Sequence, residues 1–144
     1  MNAQPNANGG AAAASLIGRI LLSAIFIISG LGKLAAPAAT KGYIASVGMP
    51  LPDLAYLAAI VVEVGFGLAV LVGYRTRIVA TVLALFALVT AFAFHMNFGD
   101  QNQMIHFLKN VAIAGGFLQV AVLGATGFSI DAMLANRRGV ARNA

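Results

Sequence analysis

Apolar residues run in four long blocks, each bounded by polar, glycine or proline residues. About 20 apolar residues in α-helix match the ~30 Å hydrocarbon core of a bilayer. The blocks therefore predict four membrane-spanning helices over residues 16–36, 53–72, 78–96 and 104–124. Ser15 reads as the N-cap of the first and Pro37 as its stop; Asp53 reads as the cap of the second and Gly73 as its terminator. Between these two, Ala38–Val47 is weakly amphipathic and predicts a short helix lying at the membrane interface. The Gly48-Met49-Pro50-Leu51-Pro52 break closes it. Gly73-Tyr74-Arg75-Thr76-Arg77 reads as a tight basic turn, and Asn97–Gln103 as a polar loop.

The ends differ from the blocks. Residues 1–14 are small and of low complexity and predict a disordered tail. They do not read as a signal peptide, because no basic side chain precedes the apolar run and Arg19 interrupts it. Residues 15–131 then form one membrane domain and residues 132–144 a basic tail. The expected fold is an all-α, polytopic four-helix bundle with a short interfacial helix between spans one and two.

Composition agrees. The 144 residues are 60% hydrophobic and 9% charged, against about 25% charged in a soluble domain. The formal charge of +5 does not point to nucleic acid, since six of the nine basic residues lie at span ends or in tails. Four spans place both termini on one side, together with Arg19, Arg75, Arg77, Arg137, Arg138 and Arg142. Lys33, Lys41 and Lys109 fall on the other side. Positive charge gathers on the cytoplasmic side, so both termini are expected in the cytoplasm. The chain has no cysteine, which excludes disulfides and thiol chemistry within it. Any redox role would need a bound cofactor, a quinone or a partner protein.

Charge inside a membrane is costly and faces a bundle interior or an aqueous cavity. Glu63 lies near mid-depth, ~14–15 Å below the outer surface at a rise of ~1.5 Å per residue, with Lys33 and Lys109 only ~5–8 Å below it. Side chains reaching down and up can close that gap. His95 ends the third span on the same side, and Asn110 follows Lys109. Helix faces favour inward orientation: Arg19, Ser23, Phe26, Gly30 and Lys33 share one, Ala59, Glu63 and Gly67 another, and Lys109, Ala112 and Gly116 a third. Small residues beside polar ones mark packing seams between membrane helices. Lys33, Glu63, His95, Lys109 and Asn110 are thus the candidate buried polar cluster.

Each has a plainer role to set against this. The lysines can extend to the interface, Arg19 can anchor orientation, and Glu63 can pair with a lysine simply to hold helices together. His95, Asp100 and His106 have no recognised metal-site spacing and are expected to be solvated. No metal site is expected.

The same residues carry a family resemblance. Arg19, Phe26-Ile27-Ile28-Ser29-Gly30 and Lys33, then the Gly48–Pro52 turn, then Glu63-Val64-Gly65, follow the pattern of the DoxX family of small four-span bacterial membrane proteins. Gly73, Arg75-Thr76-Arg77, His95 and Phe107-Leu108-Lys109-Asn110-Val111-Ala112-Ile113-Ala114-Gly115-Gly116 continue it. The resemblance spans about residues 16–131 and is strongest to short inner-membrane members of enterobacterial type. It implies an inner-membrane protein linked to redox or oxidative-stress complexes, with Lys33, Glu63, His95, Lys109 and Asn110 at positions the family retains. A redox role would then depend on a separate soluble oxidoreductase or other subunit. In a quinone-linked mechanism, a lysine or His95 would hydrogen-bond a quinone carbonyl and Glu63 would carry protons. Two further classes stay open: a scaffold with no chemistry, alone or as a homo-oligomer, and, less favoured, a small transporter or channel. The third span has no polar residue before His95 except threonines, and one four-span bundle is small for alternating access.

Overall fold

The computed structural model describes residues 5–142, with side chains placed over residues 9–138. Six helices follow in order: α1 (Pro5–Ala35), α2 (Pro37–Ser46), α3 (Pro52–Val72), α4 (Thr76–Phe94), α5 (Gln101–Leu123) and α6 (Ile130–Arg142). No strand occurs among the described residues. Four segments are long and apolar enough to cross a membrane: Gly9–Ala35, Pro52–Val72, Thr76–Phe94 and Gln101–Leu123.

Unlike that of a water-soluble bundle, the exterior is apolar, and several polar side chains are buried beside the apolar core. Leu21, Ile28, Val89 and Val122 point outward, while Arg19, Ser23, Glu63 and Thr76 are buried. Lipid supplies no hydrophobic drive between helices, so packing and internal hydrogen bonds hold them together. On α4, Ala80, Ala84, Ala87 and Ala91 form a small-residue stripe, and α4 and α5 share the most extensive contact in the bundle. Phe26 of α1 stands edge-on to Phe117 of α5, with ring centroids 5.3 Å apart, and both rings lie in the central apolar cluster with Leu83 and Val70. α1 packs chiefly on α3.

Helix ends explain the shifts from the predicted boundaries. Ser15 is interior to α1, which already runs as helix from Pro5 through the alanine-rich stretch; residues 1–4 of the expected disordered tail lie outside the described residues. Pro37 both ends α1 and opens α2, since proline lacks the N–H that an interior position needs yet suits the first helical turn. Asp53 is not the cap of α3: Leu51 is, in the left-handed region at φ 52°, with Pro52 next. Asp53 instead pairs with Lys41 of α2 at 2.6 Å. Gly73 ends α3 as expected, at φ +69°, with Tyr74 N–H donating to Ala69 O at 2.8 Å and Gly73 N–H to Val70 O at 3.0 Å. That bond pair is a Schellman motif. α5 starts three residues earlier than its apolar block because the Asp100 side chain accepts from the Asn102 N–H at 2.8 Å. The expected basic tail lies mostly within a helix, α6; residues 143–144 lie outside the described residues.

The middle of α3 is not α-helical. Val61–Phe66 adopts a π-helical turn, and Glu63 sits in it.

Candidate functional site

Glu63 projects from that π turn toward α1. A π turn widens the helix and turns its side chains relative to a regular α frame, and such turns recur at functional sites. Opposite lies Gly30, where an added Cβ would come 2.6 Å from Val64 Cγ2 and 3.0 Å from Glu63 Cβ. The missing side chain is what lets the α1 backbone lie directly on the carboxylate-bearing turn. One turn further along α1, Lys33 Nζ donates to both carboxylate oxygens of Glu63, at 2.9 and 2.8 Å, and to Ser29 Oγ at 2.7 Å. Tyr56 of α3 donates to the Lys33 carbonyl at 3.4 Å. The pair is asymmetric in exposure: the Glu63 side chain is 7% accessible and that of Lys33 26%.

Lys33 and Glu63 both line a cavity of about 460 Å³. α1 contributes Phe26, Ser29 and Lys33 to its wall; α2 gives Thr40, Tyr43 and Ile44; α3 gives Ala55, Ala59 and Glu63; α4 gives Phe86, Val89, Thr90 and Phe94; and α5 gives Asn110 and Ile113. Met49 and His95 complete it from the connecting segments. The volume lies in the range of small-molecule pockets, about 300–1,000 Å³, and the character is theirs too: apolar walls with a few convergent polar groups. Tyr43 stacks on Phe94, with centroids 5.5 Å apart, which joins α2 to α4 across the cavity.

The predicted cluster is therefore brought together in part. Lys33 and Glu63 touch, and His95 and Asn110 line the same cavity. Lys109 does not join them; its side chain is exposed. Lys109 and Asn110 are adjacent on one helix and lie about 100° apart around it, so only one can face inward. The fully buried Phe117 and the buried Ala114 set the inward face of α5 on the side of Asn110 and Ile113. Ala112, expected inward with Lys109, is exposed for the same reason, and Gly116 is half-buried against Leu22 of α1. His95 is half-buried; its Nδ1 is 2.7 Å from Gln103 Oε1, and its ring stacks on that of His106 at 5.1 Å. The stacked rings present faces rather than converging nitrogens, and Asp100 is occupied in capping α5.

Arg19 is not the interfacial anchor that its position suggests. It is fully buried, and its guanidinium donates to the carbonyls of Val70 (3.3 Å) and Leu71 (3.0 Å) at the end of α3 and to Phe128 O before α6. The last carbonyls of a helix lack intrahelical partners and carry its negative dipole end, so a buried cation is well placed there. Ser23 Oγ in turn donates to the Arg19 carbonyl. A second tie sits beside it: Asp131 of α6 accepts from the Arg75 N–H (2.9 Å) and the Thr76 N–H (2.8 Å), capping α4 from another element. Burial alone pushes the Asp131 carboxyl up, but those hydrogen bonds and the charge of Arg19 outweigh it and hold the group below the usual carboxylate range.

Ser29, Arg19 and Asp131 were not assigned these roles from sequence. The Ser29–Lys33 spacing of four is a legible helical neighbour signal. Asp131 had none, because its partners lie 55 and 56 residues away.

An apolar exterior and four helices long and apolar enough to span a bilayer define an integral, multi-pass membrane protein. The chain belongs to the DoxX family, whose family model matches residues 14–96. It is 42% identical over 119 residues to the inner membrane protein YqjF of Escherichia coli (strain K12), covering 83% of this chain and 90% of that protein. It is 38% identical over 122 residues to the inner membrane protein YphA of the same organism, covering 81% and 86%. No solved structure matches it.

Proposed function

We propose that this DoxX-family inner-membrane protein is the membrane subunit of a redox or oxidative-stress assembly, with a quinone as the ligand of the Lys33–Glu63 cavity. One observation carries this: a charged pair opening from a nearly buried carboxylate onto a largely apolar cavity of about 460 Å³. The residues fit such a ligand. Phe26, Ile44, Val89, Phe94 and Ile113 offer apolar walls for a ring and its chain, and Lys33, His95 and Asn110 offer polar groups for its carbonyl oxygens. A bound quinone would supply two-electron, two-proton redox chemistry. Lys33 would bind by turning toward the cavity one N–H that now meets Ser29 or Glu63. Glu63 would pass protons to and from the ligand through the carboxylate oxygen that this N–H leaves. Electrons would come from a separate soluble oxidoreductase or another redox subunit of the assembly.

The test is native mass spectrometry of the full chain extracted gently from its own membrane, beside Glu63→Gln and Lys33→Met. A co-purifying quinone or oxidoreductase, lost in both variants, is expected. A protein carrying only phospholipid, alone or as a homo-oligomer, would overturn the proposal.

A second reading is favoured by the two-oxygen contact between Lys33 and Glu63 and by the tight seat of Gly30. In it the pair is a structural pin between α1 and α3. Glu63→Gln would then lower thermal stability and change nothing else.

We also infer that both termini face the cytoplasm, because the arginines gather at the end of the bundle that carries them. The chain lacks cysteine, so single cysteines can report this. In intact cells, an impermeant maleimide should label Gln101→Cys and spare Asn136→Cys; the reverse pattern would invert the assignment.

A further inference from the structure

The chain sorts its bases by type. All six arginines belong to the N-terminal half of α1, the turn after Gly73 with the first turn of α4, and α6, while the three lysines belong to the opposite end. Asp53, Glu63 and Asp100 accompany the lysines, and Asp131 alone accompanies the arginines. The lysine end is formally neutral, so the whole net charge of +5 lies at the arginine end.

That charge is not consumed internally. The two ion pairs among the described residues both use lysines. Arg19 is turned inward onto carbonyls. Both Asp131 oxygens face the backbone N–H groups of Arg75 and Thr76, and among the described residues the Arg75 and Arg138 side chains have no carboxylate at ion-pair distance. Between the turn and α6 lies a second cavity of about 340 Å³, lined by Tyr74, Arg75, Asp131, Leu134, Ala135 and Arg138. Its depth is that of a headgroup layer: α3 has just ended, α4 is about to begin, and the exposed Tyr74 and Phe128 are aromatics of the kind found at membrane interfaces.

We propose that this cavity binds the phosphate of an anionic phospholipid, with Arg75 and Arg138 as its ligands and Leu134 and Tyr74 flanking the glycerol end of the acyl chains. Arginine suits the task because its planar fork matches phosphate oxygens with paired N–H donors. The Tyr74 ring, 6.0 Å from the Arg75 guanidinium, steadies one of the two ligands. Basic pockets between membrane helices at headgroup depth are established sites for such lipids. The site lies at the opposite end of the bundle from the Lys33–Glu63 cavity and does not depend on what that cavity holds.

The full chain, delipidated in detergent, would be titrated with phosphatidylglycerol, with zwitterionic phosphatidylethanolamine and with inorganic phosphate, and occupancy read by native mass spectrometry. Phosphatidylglycerol is expected to bind in preference to the other two. Arg138→Gln, on an exposed helix face, and the double variant R75Q/R138Q should each weaken it at least about tenfold. Arg137→Gln, its exposed neighbour outside the cavity wall, should leave it within about twofold. An unchanged melting temperature of Arg138→Gln shows that its fold is intact. An equal loss in Arg137→Gln would mean diffuse surface charge and overturn the site. Equal binding of phosphatidylethanolamine would overturn its anionic preference, and equal binding of inorganic phosphate would overturn the lipid as its source.

Discussion

Two buried or half-buried cations in this protein are satisfied in different ways, and their variants should differ accordingly. Glu63 is enclosed and Lys33 reaches a cavity, so the members of the pair are not equivalent. Lys33→Met leaves an enclosed carboxylate without its partner, whereas Glu63→Gln leaves an ammonium that can hydrate in the cavity. Breaking a fully buried pair costs about 3–5 kcal/mol. Lys33→Met should approach that range, and Glu63→Gln should fall below it. The double variant should melt above Lys33→Met, because removing both charges leaves nothing uncompensated. Thermal unfolding of the four proteins in detergent checks the order, and a double variant no better than Lys33→Met would refute the coupling. Arg19 holds three carbonyls by geometry as well as charge. Arg19→Lys keeps the charge and loses the fork, and should cost on the order of 3 kcal/mol. The sequence made Glu63 conspicuous because a carboxylate at mid-depth has no lipid headgroup within reach. The face that Arg19 shares with Ser23, Phe26, Gly30 and Lys33 pointed it inward, as found. Its position near the span end also suggested an anchor, and nothing local names carbonyls of another helix as its partners.

Elements meet where side chains are absent, and single methyl groups test those contacts. At Gly30 a Cβ would press on Val64 and Glu63, whereas at Gly32, two residues on, it meets nothing within 4 Å. Gly30→Ala should push α1 off the π turn and destabilise by about 1–3 kcal/mol. Gly32→Ala should be neutral or slightly stabilising, since alanine is the better helix former. The four spans were legible because long apolar blocks admit only one solution in lipid, and their observed ends fall within about three residues of expectation except at the start of α1. The π turn was not: Val61, Val62, Val64 and Gly65 are weak helix formers around Glu63, but weakness does not specify which irregularity results. The rotation of α5 that exposes Lys109 was equally hidden, because Lys109-Asn110 offers two polar residues for one inward position. Asp131 joins α6 to α4, and its contribution should depend on pH with a definite sign. Its folded-state pKa lies below the ordinary carboxylate value, so its stabilisation is complete above pH about 4 and is lost as the pH falls through the lowered value. Asp131→Asn keeps one acceptor oxygen and loses the other with the charge. It should therefore melt below the native protein at pH 7, by about 1 kcal/mol, and converge on it in strong acid. A constant gap between them across that range would remove the titration from the account.

At the scale of the whole molecule, the two ends of the bundle are built for different work. The arginine end closes the structure: Gly73, Arg19, Phe128 and Asp131 knot α1, α3, α4 and α6 together. An added Cβ at Gly73 would collide with Ser129 Cβ and Arg19 Nη1. The lysine end is open, and α2 bridges it through Tyr43 on Phe94 and Lys41 on Asp53. Charge asymmetry along the chain was plain in the sequence, but the cavity was not, since it arises where five helices diverge. That cavity separates a ligand site from a structural pin more cleanly than the ion pair does, because the pair serves both. Ala55 lines the cavity from the first turn of α3, away from the Lys33–Glu63 contact. Ala55→Phe should fill part of the space while leaving the pair, the Gly30 contact and the arginine knot in place. If the cavity holds a quinone, this variant should lose at least about tenfold in retained ligand, since an overpacked site excludes its occupant at a cost of about 1–3 kcal/mol. Its melting temperature should stay within a few degrees of the native value. A variant that retains quinone undiminished would place the ligand elsewhere, and one that unfolds would make the open end part of the framework.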